Sequence, residues 1–153
     1  MIKRRTYFAY LLFILIIMLC GCNGKKDIRN MSLKNILNTS YNGVKKDIPD
    51  TYTIIVNNDN FKTYLGDANI KYKEAIASEP KMTSVAHLVV IVRLDDKENV
   101  QNAKKEIEEN INPSRWICVE AEKTIVEVND NVIMLVMSNE KNAEKIIQNF
   151  KNI

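Results

Sequence analysis

The sequence predicts a single α+β domain, in which helices pack on the faces of a mostly antiparallel sheet of four to five strands, preceded by an N-terminal signal helix. Two runs, 85–94 and 132–137, are apolar on both faces, which is typical of central strands covered on both sides. Short turns join most of the β-type runs, and short connections favour antiparallel pairing. Apolar residues at helical spacing follow both runs, so helices are available to cover the sheet.

Residues 1–21 are predicted to be a lipoprotein signal peptide. A basic cluster at 3–5 precedes an apolar or aromatic run at 7–20, which is the layout of a secretory signal. This run is shorter than the stretch of about 20 apolar residues that a membrane-spanning helix needs. Residues 23–30 are mostly polar and contain glycine, so 22–31 are interpreted as a short tether and 32–153 as the globular domain.

The end of the apolar run, Leu19-Cys20-Gly21-Cys22, resembles the lipobox of bacterial lipoproteins. The resemblance implies cleavage between Gly21 and Cys22 and attachment of a diacylglycerol group to the Cys22 thiol. Each buried methylene contributes roughly 0.8 kcal/mol, so two or more acyl chains anchor a protein stably. We therefore expect membrane lipid to hold the protein through Cys22 on the extracytoplasmic face of the cell membrane. The alternative is an uncleaved signal anchor with two incidental cysteines.

The charge balance restricts the class of binding partner, and the cysteine count restricts the disulfides that the mature chain can form. The chain has 22 Lys and Arg against 19 Asp and Glu, and removal of the basic cluster at 3–5 leaves 19 of each sign. A mature chain without net charge has no long-range attraction for nucleic acid, so we expect no nucleic-acid partner. Cys20 leaves with the signal and Cys22 is acylated. Cys118 is then alone, and no intramolecular disulfide is expected.

The first part of the domain predicts two helices and one strand. Ser32 is a suitable N-cap for the first helix, because its hydroxyl accepts from a free backbone N–H. Residues 51–56 form a short β-type run, and a small helix follows, capped by Asn58 or Asp59 and ended by Gly66. The apolar stripes of the two helices are Leu33, Ile36, Leu37 and Tyr41, and Phe61, Tyr64 and Leu65.

The middle of the domain predicts two strands and a helix. Residues 72–77 form one strand, which Ser78, Glu79 and Pro80 interrupt, and 85–94 form a stronger one. The helix at 97–111 has Asp95 as its cap and Glu98 as the partner of a capping box.

The last part predicts three strands, at 116–121, 124–128 and 132–137, and a final helix at 140–150 capped by Ser138 or Asn139. We expect this helix and the one at 97–111 to cover one face of the sheet. The first helix, with the small one, is expected to cover the other face.

Four segments of the domain resemble a known family: 74–80, 84–87, 89–93 and 112–119. Together with the lipobox, they resemble small, uncharacterised lipoproteins from clostridial-type Gram-positive bacteria. The resemblance covers most of 32–150. Because the function of that family is unknown, it implies the cellular address and the extent of the domain, and it implies no active site.

His87 is the only histidine, and alternation places it on the same side of its strand as Val89 and Ile91. A functional interpretation pairs it with Glu79 or Ser84. The structural interpretation is a histidine at the edge of the core, satisfied by one hydrogen bond.

Other polar residues also allow two interpretations. Cys118 is a candidate nucleophile if His87 lies beside it, and is otherwise a small buried apolar residue. Glu120 and Glu122 alternate with it, which indicates paired carboxylates or, more simply, a solvated strand face.

Arg115 and Trp116 are candidate binding residues, because these side chains are common anchors of interfaces; Trp116 is equally suited to closing the end of the core. No phosphate-binding glycine loop, nucleophile elbow or metal-binding histidine pair is present in the sequence, so we expect no metal and no cofactor.

The leading hypothesis is a non-catalytic binding or assembly module of the cell envelope, with an envelope protein or a small ligand as its partner. The alternative is an envelope hydrolase that uses His87 with Glu79 or Cys118. A third interpretation is a small-solute binding module, which a roomy apolar cleft would favour.

The lipobox makes a direct prediction about the mature chain. The mature chain should begin at Cys22, and its mass should equal that of residues 22–153 plus the lipid on Cys22, a diacylglyceryl group included. Intact mass spectrometry of the protein from bacterial membranes measures this mass. The Cys22→Ala variant should carry no lipid. An unmodified chain that still begins at Met1 would contradict the prediction.

Overall fold

The computed structural model of this chain describes residues 27–95 and 99–153. The predicted signal peptide, the lipid attachment at Cys22 and the capping residue Glu98 lie outside the described residues. The described part is a single α+β domain with a five-stranded antiparallel sheet and four α-helices, which confirms the predicted fold class. No helix within 27–95 and 99–153 is both long enough and apolar enough to cross a membrane.

The sheet has two central strands that are buried along their whole length. Its strands are β1 (Thr51–Ile55), β2 (Glu74–Pro80), β3 (Leu88–Arg93), β4 (Lys123–Asn129) and β5 (Val132–Ser138). They lie in the order β1-β2-β3-β5-β4, and every neighbouring pair is antiparallel. Each residue of β3 and β5 is buried, as the two-sided apolar runs predicted. The edges of the sheet are therefore β1 and β4.

Two predicted strand boundaries are wrong. Strand β2 continues through Ser78 and Glu79 to Pro80, where the sequence predicted a break. The last pair between β2 and β3 is Ser78 with Val89, so Pro80 lies beyond that ladder and its missing N–H removes no ladder bond. Strand β3 starts at Leu88 rather than at residue 85.

The predicted strand at 116–121 is also wrong, since these residues belong to an irregular loop, 111–122. Cys118, in the middle of that loop, has a positive φ of 67°, which is incompatible with extended geometry. The next two strands form a hairpin whose turn contains Asp130, with a φ of 57°.

The helices begin and end close to the predicted positions. They are α1 (Leu33–Ser40), α2 (Phe61–Leu65), α3 (Val100–Asn110) and α4 (Glu140–Lys151), and a 3₁₀ turn at Ile28–Asn30 precedes α1. Side chains of Ser32 and Asn139 cap α1 and α4 by accepting from backbone N–H groups three residues on. In contrast, α3 follows Asn99 rather than Asp95, and α2 follows Asn60 rather than Asn58 or Asp59.

Gly66 ends α2, as predicted, and its geometry admits no other residue. Its φ is +65°, and a Cβ built on it would collide with the backbone carbonyl oxygen of Asn110 at the end of α3. The missing side chain therefore allows the two helices of this face to approach each other closely.

The predicted grouping of the helices on the sheet is wrong. Helices α1 and α4 share one face, with the side chains of Val132, Met134 and Val136 from β5. Helices α2 and α3 share the other face, with Ile133 and Leu135 from the same strand. A strand that is apolar on both sides contains no signal that assigns a following helix to either face, so the sequence pattern could not make this choice.

Arg93, at the end of β3, holds the amino-terminal turn against the sheet. Its side chain is 5% exposed, and Nε donates to Oε1 of Glu74 at 2.7 Å. Nη1 donates to the backbone carbonyls of Ile28 at 3.2 Å and Arg29 at 3.0 Å, and Nη2 donates to the carbonyl of Met31. A single buried guanidinium therefore satisfies most of the carbonyls of this turn.

The same turn is part of the globular body. Ile28 is 4% exposed and belongs to the core on the α1 and α4 face. Asp27 caps the turn, and Arg29 forms an ion pair of 3.1 Å with Asp130 in the β4–β5 turn. Residues 28–31, assigned to the tether by the sequence analysis, therefore pack on the domain.

We predict that Arg93→Met destabilises the domain by about 3 kcal/mol, because it removes hydrogen bonds to a charged buried group and leaves carbonyls unpaired. Denaturant unfolding measures the stability, and limited trypsin digestion should show faster cleavage after Arg29. Lys62→Met is the control, since the Lys62–Asp67 pair is mostly exposed and should contribute nothing measurable. An Arg93→Met protein as stable and as resistant as this control would refute the role of the clamp.

Candidate functional site

An open pocket lies where the start of β1 pairs with the end of β2, on the face covered by α2 and α3. Glu79 of β2 is the cross-strand partner of Tyr52 of β1, and the loop 111–122 brings Arg115 and Trp116 over them. The pocket has a volume of about 510 Å³. Its lining residues are Tyr52, Glu79, Pro80, Thr83, Ser84, Arg115, Trp116 and Ile117. We call this the Glu79–Arg115 pocket.

An ion pair forms the floor of the pocket. Arg115 Nη2 donates to Glu79 Oε1 at 2.8 Å, and the two side chains are 17% and 18% exposed. The other carboxylate oxygen accepts from the hydroxyls of Tyr52, at 3.1 Å, and Tyr64, at 3.2 Å. Burial, followed by the charge of Glu79, raises the pKa of Tyr64 to about 12, so its hydroxyl remains a donor. Both oxygens of Glu79 are therefore occupied by donors of the same chain.

Arg115 is held between two aromatic rings. Its guanidinium carbon lies 5.2 Å from the ring centre of Tyr64 and 5.6 Å from that of Trp116, which is within the range of cation–π attraction. Among the described residues, buried Nη1 has no hydrogen-bond partner. An unpaired buried donor costs roughly 1–3 kcal/mol, so one hydrogen bond of the Arg115 guanidinium is left unsatisfied at this site.

The rim of the pocket is apolar and exposed. Ile117 is 88% exposed and Tyr52 46%. Met82 and Val85, which flank the lining residues Thr83 and Ser84 in the chain, are also exposed. Tyr, Trp and Arg are enriched among the side chains that contribute most to binding interfaces, and exposed apolar residues beside them favour the binding of a partner.

The structure thus brings together three of the four candidate binding residues, Glu79, Arg115 and Trp116, and places His87 elsewhere. His87 is fully buried on the other side of β2, where alternation directs Ser78 to the α1 and α4 face and Glu79 to the α2 and α3 face.

His87 belongs to a chain of buried hydrogen bonds. Its Nδ1 lies 3.0 Å from Oγ of Ser138, its Nε2 lies 3.0 Å from the hydroxyl of Tyr41, and Tyr41 donates to Oγ of Ser78 at 2.9 Å. A neutral imidazole that donates from Nε2 and accepts at Nδ1 satisfies this arrangement. These hydrogen bonds connect the end of α1 to β2, to the residue that precedes β3 and to β5, so they help to fix the packing of this helix on the sheet.

Burial determines the ionisation of His87 and Tyr41 in this hydrogen-bond network. It lowers the pKa of His87 to about 4 and raises the pKa of Tyr41 to about 12, although the hydrogen bond with Ser78 partly opposes the latter shift. Near neutral pH both groups are uncharged, which suits an apolar interior.

The pairings needed by the hydrolase hypothesis are not formed. Within the described part of the chain, the partners of His87 include neither Glu79, Ser84 nor Cys118. Cys118 is exposed, so the interpretation of this residue as a small buried apolar side chain is wrong. The reason is the loop 111–122, which replaces the predicted strand and turns the thiol outward.

The carboxylates of the last segment do not converge. Glu120 accepts from Ser114 at 2.8 Å, while Glu122 accepts from the first N–H of α4 at 3.1 Å. Among the residues described, no group of three or more His, Cys, Asp and Glu side chains is arranged to hold a metal ion.

Sequence reasoning missed Tyr52 and Tyr64 in the pocket, and Tyr41 and Ser138 in the buried chain. The pairing of Tyr52 with Glu79 depends on a register between two strands 27 residues apart, which no local pattern specifies. Tyr64 had a detectable signal, because a tyrosine on the apolar stripe of a helix needs a partner for its hydroxyl.

No protein-family model, no curated protein and no solved structure matches this chain. The resemblance to clostridial-type lipoproteins therefore stays a prediction.

The buried His87 predicts a loss of stability in acid. In the unfolded state the histidine has a pKa of 6.5, whereas in the folded state His87 binds a proton only near pH 4. The unfolded state therefore binds more protons between these two pH values, and the free energy of unfolding falls as the pH drops from 6.5 to about 4. The fall is roughly 3 kcal/mol at most, from 1.36 kcal/mol per pKa unit. Urea unfolding at pH 7.5 and pH 4.5 measures it.

His87→Gln is the matched variant for this measurement. It retains at most one of the two hydrogen bonds, so it should lose about 1–3 kcal/mol at pH 7.5 and show a smaller drop on acidification. Equal pH dependence in both proteins would show that His87 does not cause the acid sensitivity.

Proposed function

We propose that this chain is a non-catalytic binding module, anchored by acylated Cys22 to the extracytoplasmic face of the cell membrane, and that the Glu79–Arg115 pocket binds a protein of the cell envelope. The observation that carries the proposal is the convergence of Tyr52, Glu79, Arg115 and Trp116 around one open pocket.

The chemistry of the pocket favours binding over catalysis. A general base must accept a proton from the reacting group, whereas Glu79 already accepts hydrogen bonds from Arg115 and two tyrosines, which engage three of the roughly four acceptor sites of a carboxylate. The guanidinium is neutralised by this carboxylate and stacked on rings, so its position is fixed before a partner arrives. Preorganised Arg, Trp and Tyr side chains are the residues that contribute most to interfaces.

The hydrolase alternative gains no support from the described geometry, because its histidine is enclosed. A substrate would have to reach an imidazole that is fully buried and hydrogen-bonded at both nitrogens. A roomy apolar cleft would favour a small-solute function, whereas the Glu79–Arg115 pocket is open and has an ion pair at its floor.

Cross-linking in the native cell, followed by mass spectrometry, tests the proposal. The wild-type chain should capture a specific envelope protein, and Arg115→Leu should capture less than a tenth as much at equal membrane abundance. Lys105→Leu is the control, since Lys105 lies on α3 as an exposed partner of Glu109. Cys22→Ala should lose the capture by losing the anchor.

Capture that is equal in Arg115→Leu and in the control would refute the role of the pocket. Capture that survives in Cys22→Ala would instead refute the requirement for the anchor. Unfolding melts of the Arg115 variant confirm that any loss of capture is not a loss of fold.

A further inference from the structure

Strand β1 exposes a free outer edge. It pairs with β2 on one side, and no described strand pairs with it on the other. Val56 donates to the carbonyl of Ala75 at 2.9 Å, and Lys81 donates to the carbonyl of Asp50 at 2.8 Å. Because hydrogen-bonded and non-hydrogen-bonded pairs alternate in an antiparallel ladder, the even-numbered residues direct their backbone groups inward. Thr51, Thr53 and Ile55 must direct theirs outward.

This edge lacks the charged and proline residues that usually prevent strand addition. The sequence of β1 is Thr-Tyr-Thr-Ile-Ile, without a charge, a proline or a glycine. Exposed edge strands normally carry such residues to prevent pairing with another chain. Ile55 is 75% exposed and Tyr52 46%. One acceptor is already used, since the side-chain amide of Asn60 donates to the carbonyl of Ile55 at 3.0 Å.

A groove of about 780 Å³ lies at the Ile55 end of the strand. It is lined by Lys34, Lys71 and Lys73, against the single acidic residue Glu74. This excess of positive charge favours an occupant that carries a carboxylate.

We propose that the occupant of this edge is a second copy of the chain, added antiparallel to β1 about a two-fold axis at Thr53 to form a continuous ten-stranded sheet. In this register the two Thr53 residues exchange both backbone hydrogen bonds. Ile55 of each copy faces Thr51 of the other, so the exposed Ile55 side chains are covered.

The positions of the charged residues near β1 support this register. Two positions whose numbers are equally distant from Thr53 face each other, so Asp50 of one copy falls opposite Val56 of the other. Val56 lines the lysine groove, and Asp50 is 90% exposed, with a long contact of 3.8 Å to Lys81. Dimerisation therefore brings a carboxylate to the lysines of the other copy, twice by symmetry.

The pairing of two five-residue strands buries little area compared with a standard stable interface. Strand addition alone therefore gives a weak dimer in dilute solution. Copies confined to one membrane surface have a much higher effective concentration, so the assembly should form where anchored chains are dense.

Cysteine cross-linking on the membrane tests the register directly. In a Cys118→Ser background, Thr53→Cys places two thiols at a hydrogen-bonded pair, where Cα atoms are about 5.5 Å apart, a separation that a disulfide can span. Thr51→Cys is the matched control, because its own copy lies about 13 Å away in this register. We expect at least fivefold more disulfide-linked dimer with Thr53→Cys. Equal yields from the two variants would overturn the proposal.

A proline variant tests the same edge without thiol chemistry. Thr53→Pro removes an outward N–H and leaves the inward ladder intact, so the variant should fold. Sedimentation of the full chain in detergent at high protein concentration should show dimers for wild type and for Thr53→Val, and monomers for Thr53→Pro.

The test also separates this proposal from the pocket. Arg115→Leu should leave the dimer unchanged. A wild-type chain that stays monomeric would overturn the proposal. The proposal would also be overturned if Thr53→Pro changed only the cross-linking to a different envelope protein and not the dimer, since the edge would then bind a foreign peptide.

Discussion

Strands β3 and β5 are buried on both faces, and this constraint determines most of the architecture. A sheet without a solvated side has to be covered twice. Helices α1 and α4 supply one cover, and α2 with α3 supply the other. Without a disulfide among the described residues, these two apolar layers hold the domain, and the polar groups within them have to be satisfied internally.

The polar groups of the two layers differ in charge and in exposure to solvent. On the α1 and α4 face, His87, Tyr41, Ser78 and Ser138 form a closed and neutral chain, from which burial has removed any charge. On the α2 and α3 face, Glu79 and Arg115 form an ion pair at the floor of an open pocket. Neighbouring residues of one strand, Ser78 and Glu79, take part in these two systems. The period of the strand thus separates the buried hydrogen-bond network from the Glu79–Arg115 pocket by a single position.

The parts of the fold that follow from local patterns could be predicted from sequence. The caps at Ser32 and Asn139, the stop at Gly66 and the central strands all have signals within a few residues. The grouping of helices and the contacts of His87 depend on strand register and on long-range packing, so they could not be predicted. In the candidate site, Arg115 and Trp116 could be found by residue type, whereas Tyr52 joins them only through its pairing with Glu79.

The guanidinium of Arg93 has a mechanical consequence. It ties the turn that follows the predicted anchor to the end of β3, which is the middle strand of the sheet. Tension between the bilayer and a bound partner would therefore enter the domain at its centre. Such a load would reach the middle strand of the sheet before either edge strand, β1 or β4.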